Sequence, residues 1–436
     1  MEQPLHVAIL GNGITGATAA LELRRRQPDW RISMISGEST YPYSRPALMY
    51  IWMGHMTYQD TKPWENEVWE QQRIARIRDW VIGLDAGAKV LELQKGGKLP
   101  FDKLLLATGS KPNRFGWKGQ DLDGVQSLYS LMDLRRLEEN TQNCKRAVIV
   151  GGGLIGIELG EMLHSRGIHV TFLVRESSYW NVVLPKQESA MVNRLIEEAG
   201  FELLLESELD EILPDANGRV QSIRTKDGRS IDCQLVGLTA GVSPNLELVR
   251  ESSLETGRGV LVNAKLETSA ADIYAAGDCA EFRADSKGPT GLEQVWYTGK
   301  AQAKIVAANL AGASASYSPA TWFNSAKFLD LEYQTYGRVN RRVEGESAAY
   351  WERADGLAAV RLVLLNGRVI GINVMGTRFR HEVCARWIDA EAPLEKVLEQ
   401  LSEAYFDPEF YTTHEAEMVS ALRADAAAAT ATGVNA

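Results

Sequence analysis

Residues 5–16 read LHVAILGNGITG, an apolar run that breaks into Gly11-Asn12-Gly13-Ile14-Thr15-Gly16. Leu5, Val7, Ile9 and Leu10 have the composition of a strand buried on both faces of a parallel sheet. The stretch from Ile14 to Arg26 reads as a helix whose basic residues 24–26 suit the negative end of its dipole and whose stop is Pro28. The turn between strand and helix is where chemistry is to be sought. Gly11 permits the tight turn, Gly13 lets a diphosphate approach backbone N–H groups at a helix N-terminus, and Gly16 lets the helix lie close on the strand. A lone G-x-G-x-x-G is weak, because an ordinary glycine-rich turn is spelled the same way. This one is followed by a second strand, Arg31–Ile35, and by Glu38 at about the distance where an acid meets ribose hydroxyls.

The same grammar returns downstream. Apolar residues 147–150 run into GGGLIGIELG (151–160), then a helix to Arg166 and a strand over 169–174. Two copies of one phosphate-cradling device predict two dinucleotide sites, as in an enzyme that holds two nucleotides face to face. An acid after the second strand selects an unphosphorylated ribose, and an arginine accepts a 2′-phosphate. The chain supplies Val174-Arg175-Glu176, which points both ways, so Arg175 stands as a phosphate ligand or as a surface residue.

Between and beyond the two turns the signals are less sharp. Residues 41–50 (YPYSRPALMY), with Trp52, Tyr58, Trp64, Trp69 and Trp80, are dense in aromatic rings that either pack a domain edge or wall a flat ring system. Arg45 sits on a rigid turn between Ser44 and Pro46, where it serves a diphosphate, a flat ring or only the surface. Residues 81–108 read as a β-meander (81–84, 89–93) that leads through 101–103 into a second short apolar run, LLLATGS (104–110), whose small Thr108-Gly109 tip fits beside a nucleotide. Asp278, in IYAAGDCAE (273–281), either accepts from a sugar-like hydroxyl or caps a following helix.

The 436 residues suggest two or three domains, and a formal charge of −10 argues against nucleic acid or anionic membrane as the main partner. No apolar run reaches a membrane span, and the start MEQPLHVAIL lacks the basic opening and long apolar core of a signal peptide, so a cytoplasmic location is expected. Cys144, Cys233, Cys279 and Cys384 are scattered without C-x-x-C spacing, and the six histidines lack ligand spacing, so no metal site is expected.

Taken together, GNGITG, Glu38, YPYSRP, LLLATGS, GGGLIGIELG, AGVSPN (240–245) and IYAAGDCAE resemble the FAD-dependent pyridine nucleotide-disulfide oxidoreductase superfamily over about the first 310 residues. That resemblance implies an α/β fold: two Rossmann-like dinucleotide-binding domains plus a C-terminal α+β interface domain. It divides the chain into an FAD domain (1–112 and 238–318), an NAD(P) domain (113–237), an interface domain (319–425) and a disordered alanine- and threonine-rich tail (426–436). It implies that Gly11, Gly13, Ile14, Thr15, Gly16, Glu38, Arg45, Val81, Thr108, Gly109 and Asp278 hold FAD. Trp296 would start the helix under the flavin's pyrimidine end, and Gly151, Gly153, Ile155, Gly156, Arg175 and Gly241 would hold NADH or NADPH. Residues 323–331 resemble the interface domain of the NADH oxidase and coenzyme A disulfide reductase branch. Residues 404–411 resemble a segment whose tyrosine, Tyr405 or Tyr411, reaches the partner subunit's flavin, which implies a homodimer.

Two departures matter. Residues 43–53 contain no redox cysteine, and Tyr50 stands near where the ferredoxin- and rubredoxin-reductase branch carries a lysine. The expected reaction is therefore hydride transfer from nicotinamide to flavin without a cysteine, then electron transfer to an unidentified acceptor: a redox protein, a quinone-like molecule or oxygen. Glu158 is expected near the nicotinamide or as a first-turn acid favoured by the helix dipole, and Lys327 near the reduced flavin or on a sheet surface. The alternatives are a reductase subunit of a larger electron-transfer complex and an NAD(H)-binding flavoprotein with a signalling or scaffold role.

Overall fold

His6–Leu10 is buried along its whole length because parallel neighbours lie on both sides: Val7 pairs with Ile32 of Arg31–Ile35 and with Lys103 of Lys103–Leu106. Ile74–Ile77 and Ile273–Ala275 complete this five-stranded sheet at its two edges. In the computed structural model, which describes residues 4–284, 289–340, 343–406 and 412–432, the chain separates into two units. The first consists of Met1–Phe115, Gln126–Gln142 and Gly241–Pro319. Besides the parallel sheet it holds the expected meander, the antiparallel strands Val81–Asp85, Val90–Leu93 and Lys98–Pro100. The helices Ile14–Arg26 and Trp296–Leu310 pack on each other, with the Thr15 hydroxyl lodged against Gly277 and Gly299. A Cβ on either glycine would stand 2.5 or 2.6 Å from that oxygen.

The second unit consists of Gly116–Val125, Asn143–Ala240 and Ala320–Ala436. It repeats the parallel arrangement with Glu202–Leu204, His169–Leu173, Arg146–Val150 and Leu235–Leu238 in that order. Its other half is an antiparallel sheet ordered Phe323–Phe328, Leu331–Gly337, Arg368–Met375, Ala359–Leu365 and Glu346–Glu352. Helices His381–Asp389 and Glu415–Thr432 cover it, burying Trp387, Met418 and Leu422. Among the described residues no helix is long and apolar enough to cross a membrane.

The first unit includes 126–142, and 143–240 forms one unit with 320–436. Two expectations need correction here. Residues 426–432 are helical: alanine has the highest helix propensity, and the turns before them anchor the helix through Met418 and Leu422. Residues 433–436 lie outside the described residues. Asp278 caps no helix, because the strand Ala280–Phe282 follows it.

Candidate active site

The first glycine turn is shaped by backbone contacts. Gly11 has φ +110°, and a Cβ there would lie 2.0 Å from the Ala107 carbonyl oxygen; a Cβ on Gly16 would lie 2.0 Å from the Gly11 carbonyl oxygen. Gly13 differs in kind. It caps the helix Ile14–Arg26 with ordinary extended backbone (φ −68°, ψ −174°) and no side-chain hydrogen bond, and nothing lies within 4 Å of its Cβ position. The space over Gly13 is open and faces helix N–H groups that no capping side chain satisfies, which is what an anionic diphosphate requires.

Around this turn the structure gathers Glu38, Arg45, Thr108, Gly109 and Asp278 in one unit. Thr108 Oγ1 donates to the Asn245 carbonyl at 3.0 Å, and Gly109 takes φ +68°. Asp278 Oδ2 accepts from Ser110 Oγ at 3.0 Å, and burial raises its carboxyl above the ordinary range. Glu38 is already engaged by protein donors. Its Oε1 accepts from the Tyr43 hydroxyl and from the Leu131 N–H at 3.0 Å, and its Oε2 pairs with Arg45 Nη2 at 2.5 Å. Burial pushes the Tyr43 phenol far up, so this hydroxyl acts as a donor. A pocket of about 480 Å³ opens beside Glu38, lined by Tyr41, Tyr58, Lys62, Arg78 and Arg135.

The remaining first-unit candidates are more peripheral in their contacts. Val81 is half-buried opposite Leu93, Ile14 is half-buried at the helix start, and Thr15 spends its side chain on helix packing. Trp296 is half-buried, edge-on to Tyr297 at 5.4 Å between ring centroids. Of the aromatic stretch, Trp52 and Trp69 are core and only Trp80, 47% exposed, is open to solvent, so packing accounts for most of these rings. Gly241, expected beside the second nucleotide, lies in the first unit, where its carbonyl accepts from the Asn113 N–H at 3.0 Å.

The second turn repeats the first with one difference. Gly151 has φ +126° and would place a Cβ 2.7 Å from the Thr239 carbonyl oxygen, while a Cβ on Gly156 would lie 2.9 Å from that of Gly151. Gly153 caps Leu154–His164 without a side-chain bond, and Ile155 is half-buried in the first turn. Here, however, the Trp180 ring stands 3.0 Å from the Cβ position of Gly153, and Tyr179 Oη donates to the Gly153 carbonyl at 2.9 Å. This pair was not singled out from sequence; its only signal is two adjacent rings soon after the second strand. Arg175 is 71% exposed and pairs with Glu176 at 2.8 Å, an arrangement in which the two residues neutralise each other at the strand tip.

Glu158 and Glu161 lie one helical turn apart, and Lys327 Nζ reaches Glu161 Oε1 at 2.7 Å. The charge expected near a flavin is thus committed to a carboxylate of the nucleotide helix. Burial first, and the Glu161 charge second, push the Glu158 carboxyl up to about 7 against the pull of Lys327. A carboxyl raised from 4.5 by folding adds stability that is fully present below about 4.5 and is lost as pH rises through about 7. Glu158→Gln is expected to abolish that fall; equal slopes of unfolding free energy against pH in both proteins would rule it out. Tyr405 also needs correction: it is 4% exposed, edge-on to Phe379 in the core under the antiparallel sheet, so its ring is not free to reach another subunit. Tyr411 lies outside the described residues.

A two-nucleotide α/β flavoprotein fold is the class that these two turns define, and comparison with known proteins agrees. The sequence model of the family described as pyridine nucleotide-disulphide oxidoreductase matches residues 5–303, and the chain belongs to that family. It is 31% identical to the benzene 1,2-dioxygenase system ferredoxin–NAD(+) reductase subunit of Pseudomonas putida, over 89% of this chain and 94% of that one. It is 30% identical to a rubredoxin-NAD(+) reductase of Acinetobacter baylyi, over 63% and 72%. The crystal structure of a ferredoxin reductase from Rhodopseudomonas palustris superposes with a TM-score of 0.78 at 25% identity, covering 85% of this chain and 91% of that one. FAD and a nicotinamide dinucleotide are the cofactors of this family, and the open, uncapped Gly13 turn fits the diphosphate of the first.

Proposed function

We propose that this NAD(P)H-dependent FAD oxidoreductase serves a small redox protein of the ferredoxin or rubredoxin kind. When bound, FAD takes a hydride from reduced nicotinamide dinucleotide and releases the electrons to an acceptor. What the chain itself supplies is binding and orientation. The open N-terminus over Gly13 receives the diphosphate, and Arg45 with Asp278 supplies the polar groups around the Thr108-Gly109 tip. Arg175 and Glu176 choose between NADH and NADPH, and Glu158, half-protonated near neutral pH, holds a proton beside the second turn.

The observation that carries the reading is the pair of uncapped helix N-termini behind glycine turns, one in each unit. The names of the two reductases reported above support this acceptor, together with the state of the thiols. All four cysteines are free, and burial raises each thiol, Cys233 to about 12, so none is a poised thiolate. Electrons therefore leave the flavin without a protein disulfide. In this reading the protein is a cytoplasmic homodimer, supported by the resemblance of residues 323–331 to an interface domain.

The test is anaerobic. Yellow protein is mixed with NADH or NADPH, and the bleached flavin is then offered ferredoxin, rubredoxin or oxygen. Reoxidation by an iron–sulfur or rubredoxin-type protein at least about tenfold faster than by oxygen is the expected result. Fast reoxidation by oxygen alone would make the protein an oxidase. A bleached flavin that persists with every acceptor would favour the signalling reading.

A further inference from the structure

Tyr129 is absent from every sequence pattern discussed above, yet it touches three parts of the first nucleotide site. Its hydroxyl accepts from the Ser110 N–H at 3.1 Å, and Ser110 Oγ in turn donates to Asp278 at 3.0 Å. Its carbonyl accepts from Arg45 Nη1 at 2.9 Å, and its ring lies under the same guanidinium, 4.7 Å from Cζ to centroid. Two residues on, the Leu131 N–H donates to Glu38 at 3.0 Å, so one short segment holds both members of the Glu38–Arg45 pair. The same hydroxyl stands 3.5 Å from the Cβ position of Gly109, beside the strand tip itself.

From this we infer that Tyr129 is a positioning residue of the FAD site, which aims Arg45 at the cofactor. The inference rests on the functional reading above, in that the first turn holds FAD. The flexible aliphatic stem of Arg45 does not by itself keep its planar guanidinium in place. Glu38 fixes one edge of it, the Tyr129 carbonyl and the Tyr43 hydroxyl accept from Nη1 at 2.9 and 3.1 Å, and the Tyr129 ring lies closest under its face. Truncating the ring removes the support under the guanidinium face while the Glu38, Tyr43 and main-chain contacts remain, so Arg45 is tilted from its aim at no cost to the glycine turn.

The experiment compares Tyr129→Leu and Tyr129→Phe for FAD dissociation constant, flavin absorbance maxima and midpoint potential, alone and with Arg45→Met. Tyr129→Leu is expected to weaken FAD binding about tenfold and to shift the bound-flavin spectrum. Tyr129→Phe, which keeps ring and carbonyl, should restore most of the affinity. In the Arg45→Met background Tyr129→Leu should add less than about twofold, since the group it positions is gone. Unchanged FAD affinity in Tyr129→Leu, or equal and additive losses with and without Arg45, would overturn the inference. Wild-type protein that binds no FAD at all would instead sink the functional reading beneath it.

Discussion

A Gly13→Val variant is expected to fold and to purify colourless. The two halves of that outcome have separate causes. Folding survives because Gly13 already has backbone angles open to any residue and no atom within 4 Å of its Cβ position. The replacement gives up a favourable N-cap residue, about 1 kcal/mol, which moves the melting temperature of a protein this size by roughly 2 °C. FAD is lost because the added side chain occupies the space in which a diphosphate meets the helix N-terminus, and the affinity should fall about 100-fold or more. Flavin absorbance and the melting temperature of flavin-free protein, measured on one preparation, read both halves. Full yellow colour would mean that the diphosphate lies elsewhere. Gly16→Ala is the contrasting control: its Cβ would stand 2.0 Å from a backbone carbonyl that cannot retreat, so that variant should fail to fold.

Arg361→Met should destabilise the protein by about 3–5 kcal/mol. Glu188, on Lys186–Glu198, is 0% exposed and Arg361, on Ala359–Leu365, has 7% of its side chain exposed; they meet through Nε–Oε1 at 2.7 Å and Nη2–Oε2 at 3.0 Å. Asn373 adds a donor to Glu188 at 3.3 Å, and the guanidinium rests on the Tyr350 ring at 4.6 Å. Methionine keeps the aliphatic volume and removes the counter-charge, which leaves a desolvated carboxylate with one amide donor. The cost therefore belongs to the abandoned charge, and Glu188→Met in the same chain should recover most of it. Denaturant unfolding of the two variants separates these terms. A loss below about 1 kcal/mol for the single change would show that water reaches Glu188.

These residues also mark how far the sequence can be read. Both glycine turns were legible because their chemistry is local: strand, turn and helix are contiguous, and Gly11, Gly16, Gly151 and Gly156 are required by backbone carbonyls of the turn itself or of the neighbouring strand, while Gly13 leaves the space open. The parallel pairing follows from the same grammar, since short apolar strands joined through helices favour a parallel sheet, while the strand order came from the structure. The side chains that complete the sites were legible as residue types and not as partners. Glu38 reads as a ribose acid, and the sequence does not show that Arg45, Tyr43 and Leu131 are its protein partners. Lys327 reads as a charge for the flavin until Glu161, 166 positions away, takes it. Tyr405 reads as a reaching tyrosine until its ring is found in a core.

By itself, then, the sequence determined a chain that cradles two dinucleotides with one repeated device, because backbone conformation at a few glycines depends on neighbours in the chain. Which carboxylates are free, which cations are engaged and where Tyr129 and Trp180 come to stand were decided by the tertiary structure alone. The reason is that a charge goes to whichever opposite charge or dipole folding brings within hydrogen-bond reach, and for Glu188 and Arg361 that partner lies 173 residues away.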